Sequence, residues 1–302
     1  MTRQHDTPRL AFVVFACPKS GTTWLQRLLC AHPALHCAEV RAPGRYLKID
    51  PAYATPHIAL EEYAAILTRH LHPGGGAGDA FGRDLLFDLW DTIIESVRRQ
   101  SGKSVVGEKL TPFAGTEAHA VRLLHEYNPD LRFINLVRDG RDVAVSGFAQ
   151  QTSTALRRAS EPDAARLRER LESRQIPDDF LDLWASMWTA CVDAGLEGER
   201  LFTRSIRVRY EDMLDDAPSQ FARLLELLGV EHDDATIARC LDAASFERLT
   251  GGRERGREDA THFFRKGVRG DWANWLTPAQ NERFLAAAGG RLDALTHAPA
   301  RP

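Results

Sequence analysis

The sequence predicts a single α/β domain spanning residues 1–302, with a central parallel sheet flanked by helices, and three observations carry that expectation. Leu10 to Phe15 and Leu131 to Val137 are short apolar runs, as strands of a parallel sheet buried on both faces require. Each passes through a polar turn into a stretch with helical spacing, so strand, helix and strand repeat as in βαβ units. No linker interrupts the 302 residues, which suffice to bury one substantial core.

Taken in order, the first strand is broken by Pro18 and Gly21, and Thr22, Thr23, Trp24, Leu25, Leu28 and Leu29 then recur at helical spacing. The backbone N–H groups of Lys19 to Thr23 therefore converge at a helix N-terminus, which binds anions. Lys19 adds a positive charge, and the hydroxyls of Ser20, Thr22 and Thr23 add short donors.

A turn at Pro33 and a short strand near Leu35 to Ala38 follow. The pattern loosens from Arg41 to Gly82, where several prolines and Gly74-Gly75-Gly76 surround one helical patch, Leu60 to Leu71. We expect a lid or acceptor-recognition segment over about residues 41–99. Within it Leu85 to Val97 carries a helical stripe, and a strand over Ser104 to Gly107 ends in Glu108-Lys109.

A helix over Thr116 to Tyr127 leads to the strand Leu131 to Val137 and a helix through Val143 to Phe148. Residues 151–174 are strongly charged and read as a surface segment at the acceptor side. Helices are expected over Phe180 to Leu196, Phe221 to Leu228 and Pro278 to Ala288, with one more strand in Leu201 to Tyr210. Between Arg253 and Arg269, six Lys or Arg face three Asp or Glu, a local balance of +3.

The net charge of −3 argues against a general nucleic-acid binder, so a polyanionic ligand must be met by local basic clusters. Five cysteines without a CxxC spacing fit a reducing compartment. The polar N-terminus lacks a signal-peptide core, and no run is long enough to span a membrane, so a cytoplasmic protein is expected. His32 and His36 sit four apart, but Pro33 breaks the helix that would align them and no carboxylate pair completes a ligand set; no metal is expected.

The order Pro18-Lys19-Ser20-Gly21-Thr22-Thr23-Trp24 differs from the nucleotide triphosphatase loop, in which lysine follows the second glycine. It resembles the P-loop-like 5′-phosphosulfate-binding loop of the sulfotransferases that use 3′-phosphoadenosine 5′-phosphosulfate (PAPS). Leu136 to Phe148 (LVRDGRDVAVSGF) resembles that family's 3′-phosphate motif, with Arg138 and Ser146 at the matching spacing. Phe264 to Trp272 (FRKGVRGDW) resembles its C-terminal signature, in which Arg265, Lys266 and Gly267 would close over the 3′-phosphate. Arg265 offers a planar fork for phosphate, and Gly267 permits close backbone approach.

The same resemblance implies that Trp24 and Phe246 sandwich adenine, with Tyr210 near the base; a core role is open for each. The histidine base of the cytosolic aryl and steroid enzymes has no counterpart in Val106 to Pro112. The Glu108-Lys109 pair is instead similar to that of the heparan-type glycan sulfotransferases, which implies Glu108 as base and Lys109 as a stabiliser of sulfuryl charge.

The implied reaction moves a sulfuryl group from PAPS to a hydroxyl or amine of a small-molecule or glycan-like acceptor, with Lys19 neutralising the bridging oxygen. The alternative is a nucleoside or small-molecule kinase using ATP-magnesium, with Asp139 at the metal; a third is a nucleotide-binding module without turnover. Ala273 to Glu282 resembles a dimer motif of the cytosolic enzymes, but Ala273 and Pro278 replace its lysine and valine, leaving monomer or homodimer open.

Overall fold

Apolar runs that are too short for helices and carry no alternation can only be satisfied in the middle of a layered structure, and that is where they lie. A computed structural model describes residues 10–39, 78–112 and 114–297. The helical patch expected at Leu60 to Leu71 and much of the expected 41–99 segment lie outside the described residues.

Five strands form one all-parallel sheet: β1 (Phe12–Phe15), β2 (Leu35–Ala38), β3 (Val105–Leu110), β4 (Arg132–Val137) and β5 (Ser205–Arg209). Their order is β2-β3-β1-β4-β5, so the strand leading into the Lys19 turn is central. The register sets Val14 beside both Lys109 and Ile134.

Period-two alternation splits the sheet residues between two layers. Phe12, Val14, Ile134, Leu136 and Val208 pack with Leu25, Leu28 and Leu29 of α1 (Thr22–Ala31) and with the helix Ala217–Leu228. Val13, Phe15, Val106, Leu110 and Phe133 pack on the other side with Trp90 and Ile94 of the helix Gly78–Ser101 and with Val121, Leu124 and Tyr127 of Glu117–Tyr127. Each buried aliphatic or aromatic side chain contributes about 2 kcal/mol of transfer free energy.

A third apolar cluster covers the carboxyl end of β4. Val143, Val145 and Phe148 of the helix Gly140–Leu156 meet Trp184 and Trp188 of Asp178–Leu201, with Phe284 of Pro278–Ala288. Close approach depends on Gly147 and Gly198, where a Cβ would come within 2.3 Å of Trp184 and Phe133 respectively.

Most expected elements are found, with ends shifted by a few residues. One shift has consequences for the site: β3 runs on through Glu108 and Lys109 to Leu110 instead of stopping at Gly107. The charged stretch after Gln151 is two different things. Its first residues complete the helix Gly140–Leu156, and the rest forms the helix Asp163–Glu172, in which only Ala164 and Leu171 are buried. No helix among the described residues is long and apolar enough to cross a membrane.

Candidate active site

Because every strand runs the same way, all the strand-to-helix turns emerge at one edge of the sheet, where ligands of open α/β folds bind. A cavity of about 800 Å³ opens there, lined by Pro18, Lys19, Gly21, Thr22, Thr23 and Trp24.

The turn after β1 is tight. Lys19 (φ 75°) and Gly21 (φ 95°) both take left-handed backbone, and a Cβ on Gly21 would lie 2.5 Å from the Tyr210 ring. The N-cap of α1 is Gly21, so no side chain occupies the amides of its first turn. Ser20, buried beneath them and not among the residues that line the cavity, has a hydroxyl with no hydrogen-bond partner. These are the features of an anion cradle.

Two arginines close the other side. Arg138, directly after β4, is 9% exposed and donates to the Lys19 carbonyl at 3.2 Å and the Val268 carbonyl at 3.1 Å. Its guanidinium lies 4.4 Å over the Tyr210 ring. Arg265 lines the same cavity, and the Nε of each arginine is buried without a partner. Unsatisfied buried donors cost about 1–3 kcal/mol each, and an anionic ligand would relieve that cost. Ser146 lines the cavity two turns along the helix from Arg138.

Acidic residues hold this basic loop from behind. The buried Asp142 carboxylate accepts the amides of Gly270 at 2.7 Å and Trp272 at 2.9 Å, and pairs with Arg138 at 3.7 Å. Burial pushes its carboxyl up, against the pull of Arg138. Asp271 takes Arg265 at 2.6 Å and Lys266 on its other oxygen. Burial alone would raise Asp271, but the Lys266 hydrogen bond and the Arg265 charge outweigh it and bring it to about 2. The Lys266 side chain is thus engaged with Asp271 at the rim.

Lys19 is brought to the centre. Its ammonium meets the Gln150 amide oxygen and lies 4.5 Å over the Phe263 ring. Burial first, then the charges of Arg138, Arg265 and Lys109, lower its pKa to about 8. Trp24 and Phe246 both line the cavity, the Trp24 indole fixed by donation to the Ala244 carbonyl at 3.0 Å. Tyr210 stands edge-on to Trp24 and against Gly21, wedging the turn in place while also reaching the cavity. Gly267 (φ 71°) passes so close to Phe246 that a Cβ would lie 2.6 Å from the ring.

One expected pair is separated. Since β3 continues through both residues, Glu108 and Lys109 point to opposite faces of the sheet. Lys109 reaches the cavity, donates to Thr23 Oγ1 at 3.1 Å and pairs with Glu39 at 2.9 Å. Glu108 shares the other face with Val106 and Leu110, is 1% exposed, and accepts from the Trp90 indole at 3.1 Å. It does not line the cavity, so the geometry does not bring it to the acceptor as a base.

Several lining residues were not singled out from sequence. Gln150 lies one turn beyond Ser146, a spacing that could have marked it. Glu39, Arg27 and Arg255 carried no signal, being single charges at the end of a strand, on a helix and in a basic loop. Asp139, the metal residue of a kinase reading, caps its own helix and accepts three donors from Arg141. His32 is spent on its turn, with Nδ1 accepting from the Ala34 amide at 3.2 Å and Nε2 at the Glu231 carbonyl, 3.0 Å away. No cluster of three or more His, Cys, Asp or Glu that could hold a metal occurs among the described residues.

Comparison with known proteins bears on the fold and the family. In fold, the chain is similar to the sulfotransferase domain of the Synechococcus PCC 7002 olefin synthase, with TM-score 0.53 and 18% identity over 97% of this chain and 98% of that one. It is also similar to mouse sulfotransferase SULT7A1, whose structure holds PAP, with TM-score 0.50 and 19% identity over 92% and 82%. In sequence it is 26% identical over 166 residues to sulfotransferase 1E1 of Cavia porcellus, 51% of this chain and 52% of that protein. Cytosolic sulfotransferase 1 of Arabidopsis thaliana is 34% identical over 88 residues, 26% and 27% of the two chains. The matched segments thus span about half or less of these curated relatives. The family model for the sulfotransferase domain matches residues 11–295, and on that near-complete match the chain belongs to the sulfotransferase family.

Proposed function

We propose that this protein transfers a sulfuryl group from PAPS to a hydroxyl or amine of a small-molecule acceptor, releasing 3′-phosphoadenosine 5′-phosphate (PAP). The observation that carries the reading is the pair of anion sites at one sheet edge: the uncapped α1 N-terminus with Ser20, and the Arg138–Arg265 site with two unpartnered Nε donors. A ligand with phosphates at both ends of an adenosine matches both, with Trp24 and Phe246 available to its base.

In this mechanism the amides of residues 19–23 and the hydroxyls of Ser20, Thr22 and Thr23 hold the 5′-phosphate end. Arg138, Ser146, Arg265 and the Gly267 backbone hold the 3′-phosphate. The acceptor oxygen or nitrogen attacks sulfur in line, and the bond between sulfur and the bridging oxygen breaks with its electron pair going to PAP. Lys19 neutralises that oxygen, and Lys109, already bonded to Thr23, offsets charge on the sulfuryl oxygens. Positioning and fixed charge dominate transfers of this kind.

The test is a thermal-shift comparison of PAP with ATP-magnesium, joined to transfer of labelled sulfate from PAPS to pooled phenols, alcohols, sugars and amines. Stabilisation by PAP with transfer to one pool is expected. Stabilisation by ATP-magnesium alone refutes the reading.

A further inference from the structure

With Glu108 turned to the opposite face, the sulfuryl-transfer site needs a proton acceptor from elsewhere. Among the described residues that line the cavity, Glu39 supplies the one carboxylate and His262 the one imidazole. Their surroundings discriminate between them.

His262 is committed to its loop. His262 Nδ1 faces its own loop, 3.1 Å from the Phe264 amide and 3.3 Å from the Phe264 carbonyl. The hydrogen-bond and ring contacts of its imidazole lie within this loop, at Phe264, and none of them reaches Lys19, Lys109 or the α1 turn.

Glu39 follows β2 directly, beside the β3 residue Lys109, since the parallel register sets Ala38 opposite Glu108. One carboxylate oxygen lies 2.9 Å from Lys109 Nζ, which in turn donates to Thr23 Oγ1 at 3.1 Å in the first turn of α1. The carboxylate is therefore tied through one lysine to the helix end at which the sulfuryl group would be held. Lys109 is also close enough to Lys19 for its charge to be felt there. Base, sulfuryl cradle and leaving-group lysine thus stand along the carboxyl edge of three neighbouring strands, β2, β3 and β1.

We propose that Glu39 is the general base of the transfer, an inference that rests on the sulfotransferase reading above. The acceptor O–H or N–H donates its proton to the Glu39 carboxylate as the oxygen or nitrogen forms its bond to sulfur. The S–O bond to the 5′-phosphate breaks and its electron pair leaves on PAP. Charge balances because the carboxylate becomes neutral as PAP gains the negative charge that Lys19 meets. The proton becomes acidic as the new bond forms, so a carboxylate suffices as acceptor.

The experiment measures PAP affinity by calorimetry and transfer of labelled sulfate from PAPS to the acceptor pool that wild type uses, in Glu39→Gln, Glu39→Asp and Glu39→Ala. Expected are a loss of kcat of roughly 100-fold or more in Glu39→Gln, PAP affinity within about 3-fold of wild type, and disappearance of the acid limb of the kcat/KM profile. Glu39→Asp retains part of the rate, and formate restores part of it to Glu39→Ala. Glu39→Gln turning over within about 3-fold of wild type overturns the proposal. So does a parallel loss of PAP affinity and turnover, which would make Glu39 only an anchor for Lys109. Wild-type protein that neither binds PAP nor transfers sulfate removes the sulfotransferase reading itself, a failure separate from either variant result.

Discussion

Lys19 sits in a site that holds positive charge at a cost, and removing that charge should stabilise the ligand-free fold. Burial and the charges of Arg138, Arg265 and Lys109 lower its pKa from 10.5 to about 8. At about 1.4 kcal/mol per pH unit, that shift corresponds to roughly 3 kcal/mol of unfavourable free energy for the charged form. Below about pH 8 both folded and unfolded chains hold the proton, so the whole cost is present. Between about 8 and 10.5 the folded chain has released the proton and the unfolded chain has not; stability rises with pH across that window and the cost disappears.

Lys19→Met keeps the length of the side chain and removes the charge, while losing the Gln150 hydrogen bond and the contact over Phe263. Urea unfolding at pH 7 should find the ligand-free variant about 1–3 kcal/mol more stable than wild type, with the gap closing as pH rises through the window. Saturating PAP should reverse the order, since the phosphate end stabilises only the charged form strongly. A ligand-free wild type that is the more stable protein at pH 7, or a gap that ignores pH, would refute the reasoning.

Two further outcomes follow from the C-terminal loop. Gly267→Ala forces a side chain onto a φ of 71° and into the Phe246 ring, so PAP affinity should fall by roughly 10-fold or more in calorimetry, as expected for displacement of a stacking aromatic, with the melting transition still cooperative; unchanged affinity would remove Phe246 from the base site. Asp271, depressed to about 2, contributes stability that is fully present above its usual value of 3.8 and is lost as pH falls through about 2. The advantage of wild type over Asp271→Asn should therefore be constant from pH 7 to about 4 and shrink below that, measured by urea unfolding; an advantage that grows in acid would contradict the assignment.

The parts of this molecule that were legible in the sequence share one property: each is encoded locally. The Lys19 loop follows from Pro18, Gly21 and the helical spacing after them, and the Arg138–Ser146 pair from a strand followed by two helical turns. The capped helix Pro278–Ala288 was read to the residue because Thr277, Pro278, Gln280 and Gly289 state both ends. What was not legible depended on where a strand ends. Reading β3 as ending at Gly107 left Glu108 and Lys109 as a pair in a turn, free to act together. Continuing it by three residues puts one on each face, and no propensity rule separates the two cases, because Glu, Lys and Leu are weak strand formers whose place is decided by pairing with Val13, Val14 and Phe15. Glu39 was invisible for the complementary reason. Its role comes from a neighbour 70 positions away that is adjacent only through parallel pairing.

The arrangement of acids and bases at this edge explains how a chain of net charge −3 can present a site for a polyanion. Lys109, Arg138 and Arg265 converge with Lys19 on one cavity, and their three charges add to burial in lowering the Lys19 pKa. Asp142 and Asp271 neutralise the two arginines from behind, through bonds that also pin the loop 265–272, so the cations are fixed without being used up. Had these acids lined the cavity itself, they would have repelled both phosphates; buried at 1–2% exposure, they act on the loop and leave the cavity to the cations. Glu39 alone among the described acids lines it, tied to Lys109. A negative group in that position is a cost to nucleotide binding that the Lys109 ion pair offsets in part, and the proposed removal of a proton beside the sulfuryl group gives it a use there.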